Sequence, residues 1–285
     1  MIGFDAASLL LQWATGGLLF LWVTTRRREV SLGYGWLMRG VYAVMAAGAF
    51  LVGVLVIEPL PLRDVSSLGV ALAATGALVV SVVRRRAGVS RGAIDAARRS
   101  ARVAAMTGVE RAVSENESGG REFPPQLDLV APVIGTVGIV ASAFEAGGPT
   151  WLAMGRFLVG AAFLGAVTDA MLLGHWYLVQ PGLARGALLE MVRWVQWLLV
   201  PEVVLLLIPT GMISVLNGSI DDGYGGLLAW FWVACAATTA GLVVVTRLAL
   251  KERYYSAVMA ATGLLYLAIL TAFGTDLVAR ALLST

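Results

Sequence analysis

Glu202 follows Pro201 directly inside a long apolar stretch, an expensive place for an ionisable side chain. A charged group deep in a membrane span costs on the order of 2.5 to 3.5 kcal/mol, so such a residue faces the interior of a helix bundle and usually has a purpose. The proline removes one helical donor and frees the carbonyl of Trp197 from its partner. A freed carbonyl beside a carboxyl near the middle of a span suits ion binding or proton passage. The plain alternative is a glutamic acid bonded to a neighbouring helix for packing.

A second group of candidates lies in the preceding apolar stretch, which carries Thr168-Asp169, then Gly174-His175-Trp176-Tyr177, and stops at Gln180-Pro181-Gly182. Six residues at 100° each put Asp169 and His175 about 120° apart around a helix, so they are no direct pair. They can still line one polar cavity with Glu202. His175, the only histidine, is a candidate proton carrier or ligand contact. Tyr177 and Gln180 beside it could also bond the carbonyl of a quinone or the headgroup of a lipid.

Other charges fit ion pairs near helix ends. Glu190 and Arg193 are three apart, Asp276 and Arg280 four apart, and Glu145 and Arg156 flank one turn.

Absences narrow the chemistry. One histidine cannot provide bis-histidine haem ligation, and Cys235 is alone, so neither a di-haem cytochrome nor a cysteine metal site is expected. There is no His-Glu-x-x-His pair, no Gly-x-Ser-x-Gly elbow and no Walker lysine motif. Asp221-Asp222 lies in a turn rather than in an aspartate-rich magnesium motif. No cofactor or metal is predicted, and an enzyme is disfavoured.

The elements that must position these residues are apolar helices. The chain has 285 residues, 59% of them hydrophobic and only 14% charged, and its mean hydropathy is +0.82. A soluble domain usually carries about a quarter charged residues. About twenty apolar residues cross a bilayer as a helix. Eight segments meet that requirement, at roughly 5–25, 40–57, 66–83, 128–146, 151–178, 187–213, 226–249 and 256–282. No basic residue precedes the first, so a cleaved signal peptide is not expected.

Basic residues alternate with these spans. Eighteen of the 21 fall on one side: Arg26, Arg27, Arg28 and Arg39, nine arginines from Arg84 to Arg121, then Arg185, Arg193, Arg247, Lys251 and Arg253. Only Arg63, Arg156 and Arg280 fall on the other. The positive-inside rule makes the first side cytoplasmic and puts both termini outside. The fold expected is thus an all-α, polytopic membrane protein, a single helical domain over residues 1–285. Twenty of the 21 basic residues are arginine, which suggests a GC-rich bacterial genome and so a plasma-membrane location.

The one long connection, residues 84–127, reads as an amphipathic basic helix to about residue 113 followed by a linker, suited to the anionic inner leaflet or to a protein partner. The positive charge reports orientation, not nucleic-acid binding. Three functions fit these features. The first is a transporter or proton-translocating protein using Glu202, Asp169 and His175; the second is a non-catalytic subunit or assembly factor of a larger, for example respiratory, complex; the third is a lipid- or quinone-handling protein.

Overall fold

Asp5 starts the first helix: its carboxylate accepts the backbone N–H of Ser8 at 2.8 Å and the Ser8 hydroxyl at 2.7 Å, which satisfies donors that a helix leaves unpaired. The computed structural model describes residues 2–85, 97, 122–180, 183–208, 211–252 and 254–284, and every regular element among them is helical. In chain order these are α1 (Ala6–Thr25), α2 (Leu32–Leu55), α3 (Pro61–Val83), a 3-10 turn (Pro125–Leu129) leading into α4 (Val130–Glu145), α5 (Thr150–Val179), α6 (Gly186–Leu207), the short α7 (Met212–Leu216), α8 (Leu227–Ala249) and α9 (Tyr255–Ser284). Most of the basic stretch expected to form an amphipathic helix, residues 86–96 and 98–121, lies outside the described residues.

Local chemistry sets several boundaries. Pro61 occupies the first turn of α3, where its missing N–H costs nothing. Ile208 is extended, with φ −119° and ψ 159°, because the residue before a proline is pushed out of the helical region, so α6 stops at Leu207. Asp222 caps α8 from the preceding turn, accepting the N–H groups of Tyr224, Gly226 and Leu228 at 3.0, 2.8 and 2.9 Å. These backbone donors, Gly226 foremost, hold its carboxyl below the usual carboxylate range.

Among the described residues, seven elements are long and apolar enough to cross a membrane: α1, α2, α3, the Pro125–Glu145 segment, α5, α8 and α9. Helix α6 is of comparable length, 22 residues, and differs by carrying Glu190, Arg193 and Glu202. Large apolar side chains such as Leu55, Val83, Leu72 and Leu270 cover the exterior. That surface is compatible with a membrane protein.

Consecutive long helices run in opposite directions. One end of the bundle gathers Arg26, Arg27, Arg28, Arg84 and Arg185 and is called here the basic end; the other gathers Gly3, Asp5, Arg63 and Ala146. The two halves of the chain pack in the same order. Helix α1 lies against α2 and α4, with α3 bridging those two; α5 lies against α6 and α9, with α8 bridging those. The halves meet where α1 crosses α5, and there the backbones touch. A Cβ on Gly16 would lie 1.8 Å from the Ala161 carbonyl oxygen, and one on Gly165 would lie 2.1 Å from the carbonyl carbon of Gly16. Small residues permit such approaches in apolar bundles.

Three element boundaries differ from expectation, and each moves a charge. Helix α2 begins at Leu32 rather than near 40, so Arg39 is inside a helix and not in a loop. Helix α3 begins at Pro61 rather than 66, which takes in Arg63 and Asp64. Because α6 stops at Leu207 rather than 213, Glu202 is not midway along it but five residues from its end, about 8 Å at the helical rise.

Gly165→Ala is expected to lower the stability of the detergent-solubilised protein by about 1–3 kcal/mol through overpacking at the α1–α5 crossing. Thermal unfolding measures this, and an unchanged midpoint would show that the two backbones do not meet there.

Candidate functional site

Near the end opposite the basic one, α1, α5, α6 and α9 enclose a cluster of ionisable side chains. Arg280, 5% exposed, is its centre. Its Nε donates to Asp276 Oδ1 at 2.5 Å, one Nη to Gln12 Oε1 of α1 at 2.7 Å, and the other to the Arg156 carbonyl of α5 at 3.0 Å. The guanidinium lies over the rings of Phe4 and Phe157, at 4.9 and 5.8 Å. It can pass α5 only because residue 160 is glycine, where a Cβ would stand 1.6 Å from an Arg280 nitrogen.

Arg156 donates from Nε to the Leu205 carbonyl at 2.9 Å, filling one of the acceptors that the last turn of α6 leaves unpaired. Glu202 projects into the same cluster, 1% exposed, with Asp276, Arg280 and Arg156 as its charged neighbours. Neither of its carboxyl oxygens receives a hydrogen bond from a nitrogen or hydroxyl donor, and its hydrogen-bonding neighbour is the Asp276 carboxyl. Gln12 Nε2, Arg156 Nη2 and Asp276 Oδ2 are buried and unpartnered as well. Buried polar atoms are nearly always satisfied, so unpartnered ones gathered at one site need a reason. Two carboxyls facing each other can join by a hydrogen bond only when one of them carries a proton.

A second acidic station lies further toward the basic end. Asp169 is fully buried; its Oδ1 accepts the Tyr42 hydroxyl of α2 at 2.5 Å, while Oδ2 has no partner. The neighbouring Thr168 accepts the indole N–H of Trp13 at 2.9 Å, and Trp13 adjoins Gln12 on α1. Ser8, Gln12 and Thr15 are all buried, at helical spacing on one side of α1.

In two further buried pairs both carboxylate oxygens meet donors. Arg39 makes two parallel bonds to Asp128, each 2.7 Å, which tie α2 to the 3-10 turn before α4, and the Phe123 ring lies 4.3 Å from the guanidinium. At the opposite end Arg63 bonds Asp64 at 2.8 Å and Asp5 at 3.3 Å, joining α3 to the start of α1. These pairs lock helices together.

The residues expected to share one path divide into two groups. Glu202 and Asp169 are buried in separate stations. His175 is exposed on the outside of α5, its Nδ1 3.1 Å from the Tyr266 hydroxyl of α9, in accord with its angular separation from Asp169. Tyr177 donates to the Ala184 carbonyl at 2.5 Å, and Gln180 accepts from Trp176 at 3.2 Å. None of these three reaches Glu202.

Of the expected ion pairs, Asp276–Arg280 is present. Glu190 does not pair with Arg193; it accepts from Arg26 at 2.6 Å and Arg27 at 3.1 Å, because the end of α1 lies beside the start of α6. Arg156 does not pair with Glu145 either, since its helical position turns it inward to Leu205 and the cluster. Gln12, Tyr42, Arg39 and Asp128 were not among the expected site residues. A signal existed for the last two: opposite charges at the assumed starts of two spans, Arg39 just before one and Asp128 at the first position of the other.

Among the described residues no three His, Cys, Asp or Glu side chains converge as a metal site. No family model matches the chain, and no match is found among curated proteins or solved structures.

Removing one partner of a buried pair leaves a bare charge and costs about 3–5 kcal/mol. Arg39→Gln is therefore expected to lower the unfolding midpoint sharply, and the Arg39→Met/Asp128→Leu double variant to recover most of it. If the single variant is as stable as the parent, the pair does not tie these elements together.

Proposed function

We propose that this chain is a multi-pass plasma-membrane protein, of bacterial type, that moves protons, alone or coupled to a solute, through the cluster around Glu202. In this reading all eight long helices span the bilayer, the basic end is cytoplasmic and both termini are outside. The 18-to-3 division of basic residues supports the orientation. The inward-facing Glu202 and the length of α6 support counting it as the eighth span.

The observation that carries the function is that Glu202 is buried with its carboxyl set against that of Asp276 and with no nitrogen or hydroxyl donor on either oxygen. A carboxyl kept for packing would be matched to donors, as Asp128 is by Arg39. Here the carboxyl pair has room on its oxygens for a proton, and Arg280 and Arg156 supply positive charge that limits the cost of the ionised state. A small cavity of about 10 Å³ lined by Ile2, Phe4, Arg156, Arg280 and Leu283 reaches the cluster from the near end. Its size is about that of one water. Asp169, buried with an unpartnered oxygen of its own, is the second proton acceptor in this reading. His175, Tyr177 and Gln180 stand outside this path.

Proton flux into liposomes carrying the purified protein and an internal pH dye tests the reading. Wild type is expected to exceed protein-free vesicles, and Glu202→Gln to lower that flux at least tenfold while its unfolding midpoint remains. Equal flux from the two proteins, under a pH gradient and under a solute gradient, would refute it.

A further inference from the structure

The lipid-facing side of α6 at the basic end carries a groove of about 260 Å³ lined by Glu190, Arg193, Trp194 and Trp197. Its chemistry follows from how Glu190 is used. One oxygen of that carboxylate accepts from Arg26 and the other from Arg27, both arginines at the end of α1. Arg193 stands one turn further along the same helix and is exposed, so its charge faces the groove without Glu190 to neutralise it. Arg26 and Arg27 bind the Glu190 carboxylate and Arg193 adds a third guanidinium one turn away, so these four side chains carry a net charge of +2.

The apolar part of the groove is directional. Trp194 packs edge-on against Phe20 of α1 at 5.7 Å, and Trp197 is 75% exposed one turn deeper along α6 than Arg193. A ligand fitting this surface carries an anionic head at Arg193 and an apolar body running along the tryptophans toward the middle of the bundle. A small soluble anion has no use for the second half. Indole rings at this depth are typical of the membrane interface, and clustered basic residues there attract anionic headgroups.

We infer that this groove binds an anionic phospholipid, its phosphate on Arg193 with Arg26 and Arg27 beside it and its glycerol and acyl portion along Trp194 and Trp197. The inference rests on the membrane-spanning reading proposed above but not on proton movement through Glu202.

The test is native mass spectrometry and thermal unfolding of the full chain in a mild neutral detergent, with phosphatidylglycerol, phosphatidylcholine or inorganic phosphate added. Phosphatidylglycerol is expected to be retained and to raise the unfolding midpoint, with phosphatidylcholine and phosphate without effect. Arg193→Gln should weaken phosphatidylglycerol binding at least tenfold, and Trp197→Ala should weaken it several-fold; both side chains are exposed, so the lipid-free midpoint should stay in place. Equal retention of the two lipids, or undiminished binding by Arg193→Gln, would overturn the site. Stabilisation by inorganic phosphate alone would overturn the lipid assignment in favour of a free anion. Glu202→Gln should bind phosphatidylglycerol as wild type does, so loss of proton flux and loss of lipid binding are separable. Failure of the membrane-spanning reading itself would appear as protein recovered in the aqueous fraction without detergent.

Discussion

The guanidinium of Arg280 cannot lie in an apolar bundle unless the protein supplies its partners, and meeting that demand organises the chain. A buried cation missing one partner costs several kcal/mol. The partners come from three helices: Asp276 from α9 itself, Gln12 from α1 and a carbonyl from α5. To reach them the guanidinium must pass α5 at Gly160, and α1 and α5 must approach closely, which the glycines at 16 and 165 allow. Arg156 repeats the theme by holding the last turn of α6 to α5. Glu202 lies among these fixed groups, and its surroundings are therefore set by helix packing rather than by loops.

The buried charges fall into two kinds. The carboxylates of Asp128, held by Arg39, and of Asp64 and Asp5, held by Arg63, meet donors on both oxygens, and each group joins elements distant in sequence. Glu202, Asp276 and Asp169 all keep carboxyl oxygens without donors. An unmatched buried acceptor costs about 1–3 kcal/mol, more when charged, so a chain keeps several only where their chemistry is used. This contrast separates the groups that hold the bundle from those assigned to proton handling.

Much of the fold was legible because apolar length is a coarse and strong signal. Glu202 stood out for the same reason, as a carboxylate where its neighbours are apolar. Asp276 and Arg280 were readable from their helical spacing. The partners of these residues were not. Arg39 read as a loop charge, because hydropathy places helix starts at the first apolar residue, whereas a paired charge can lie inside the helix. Spans that are apolar on every side carry little rotational information, so nothing in the sequence said that Asp169 turns to Tyr42 while His175 turns outward. The partner of Glu190 depended on where α1 ends relative to α6, a tertiary fact that local spacing cannot supply.

The central claim is that Glu202 and Asp276 act as one proton-binding unit. A double-mutant cycle in proton flux, comparing wild type, Glu202→Gln, Asp276→Asn and the double variant in liposomes, tests it most directly. The account predicts that either single change abolishes most of the flux and that the double variant is no worse than the singles. Independent, multiplicative losses, or a double variant that conducts as wild type does, would contradict it.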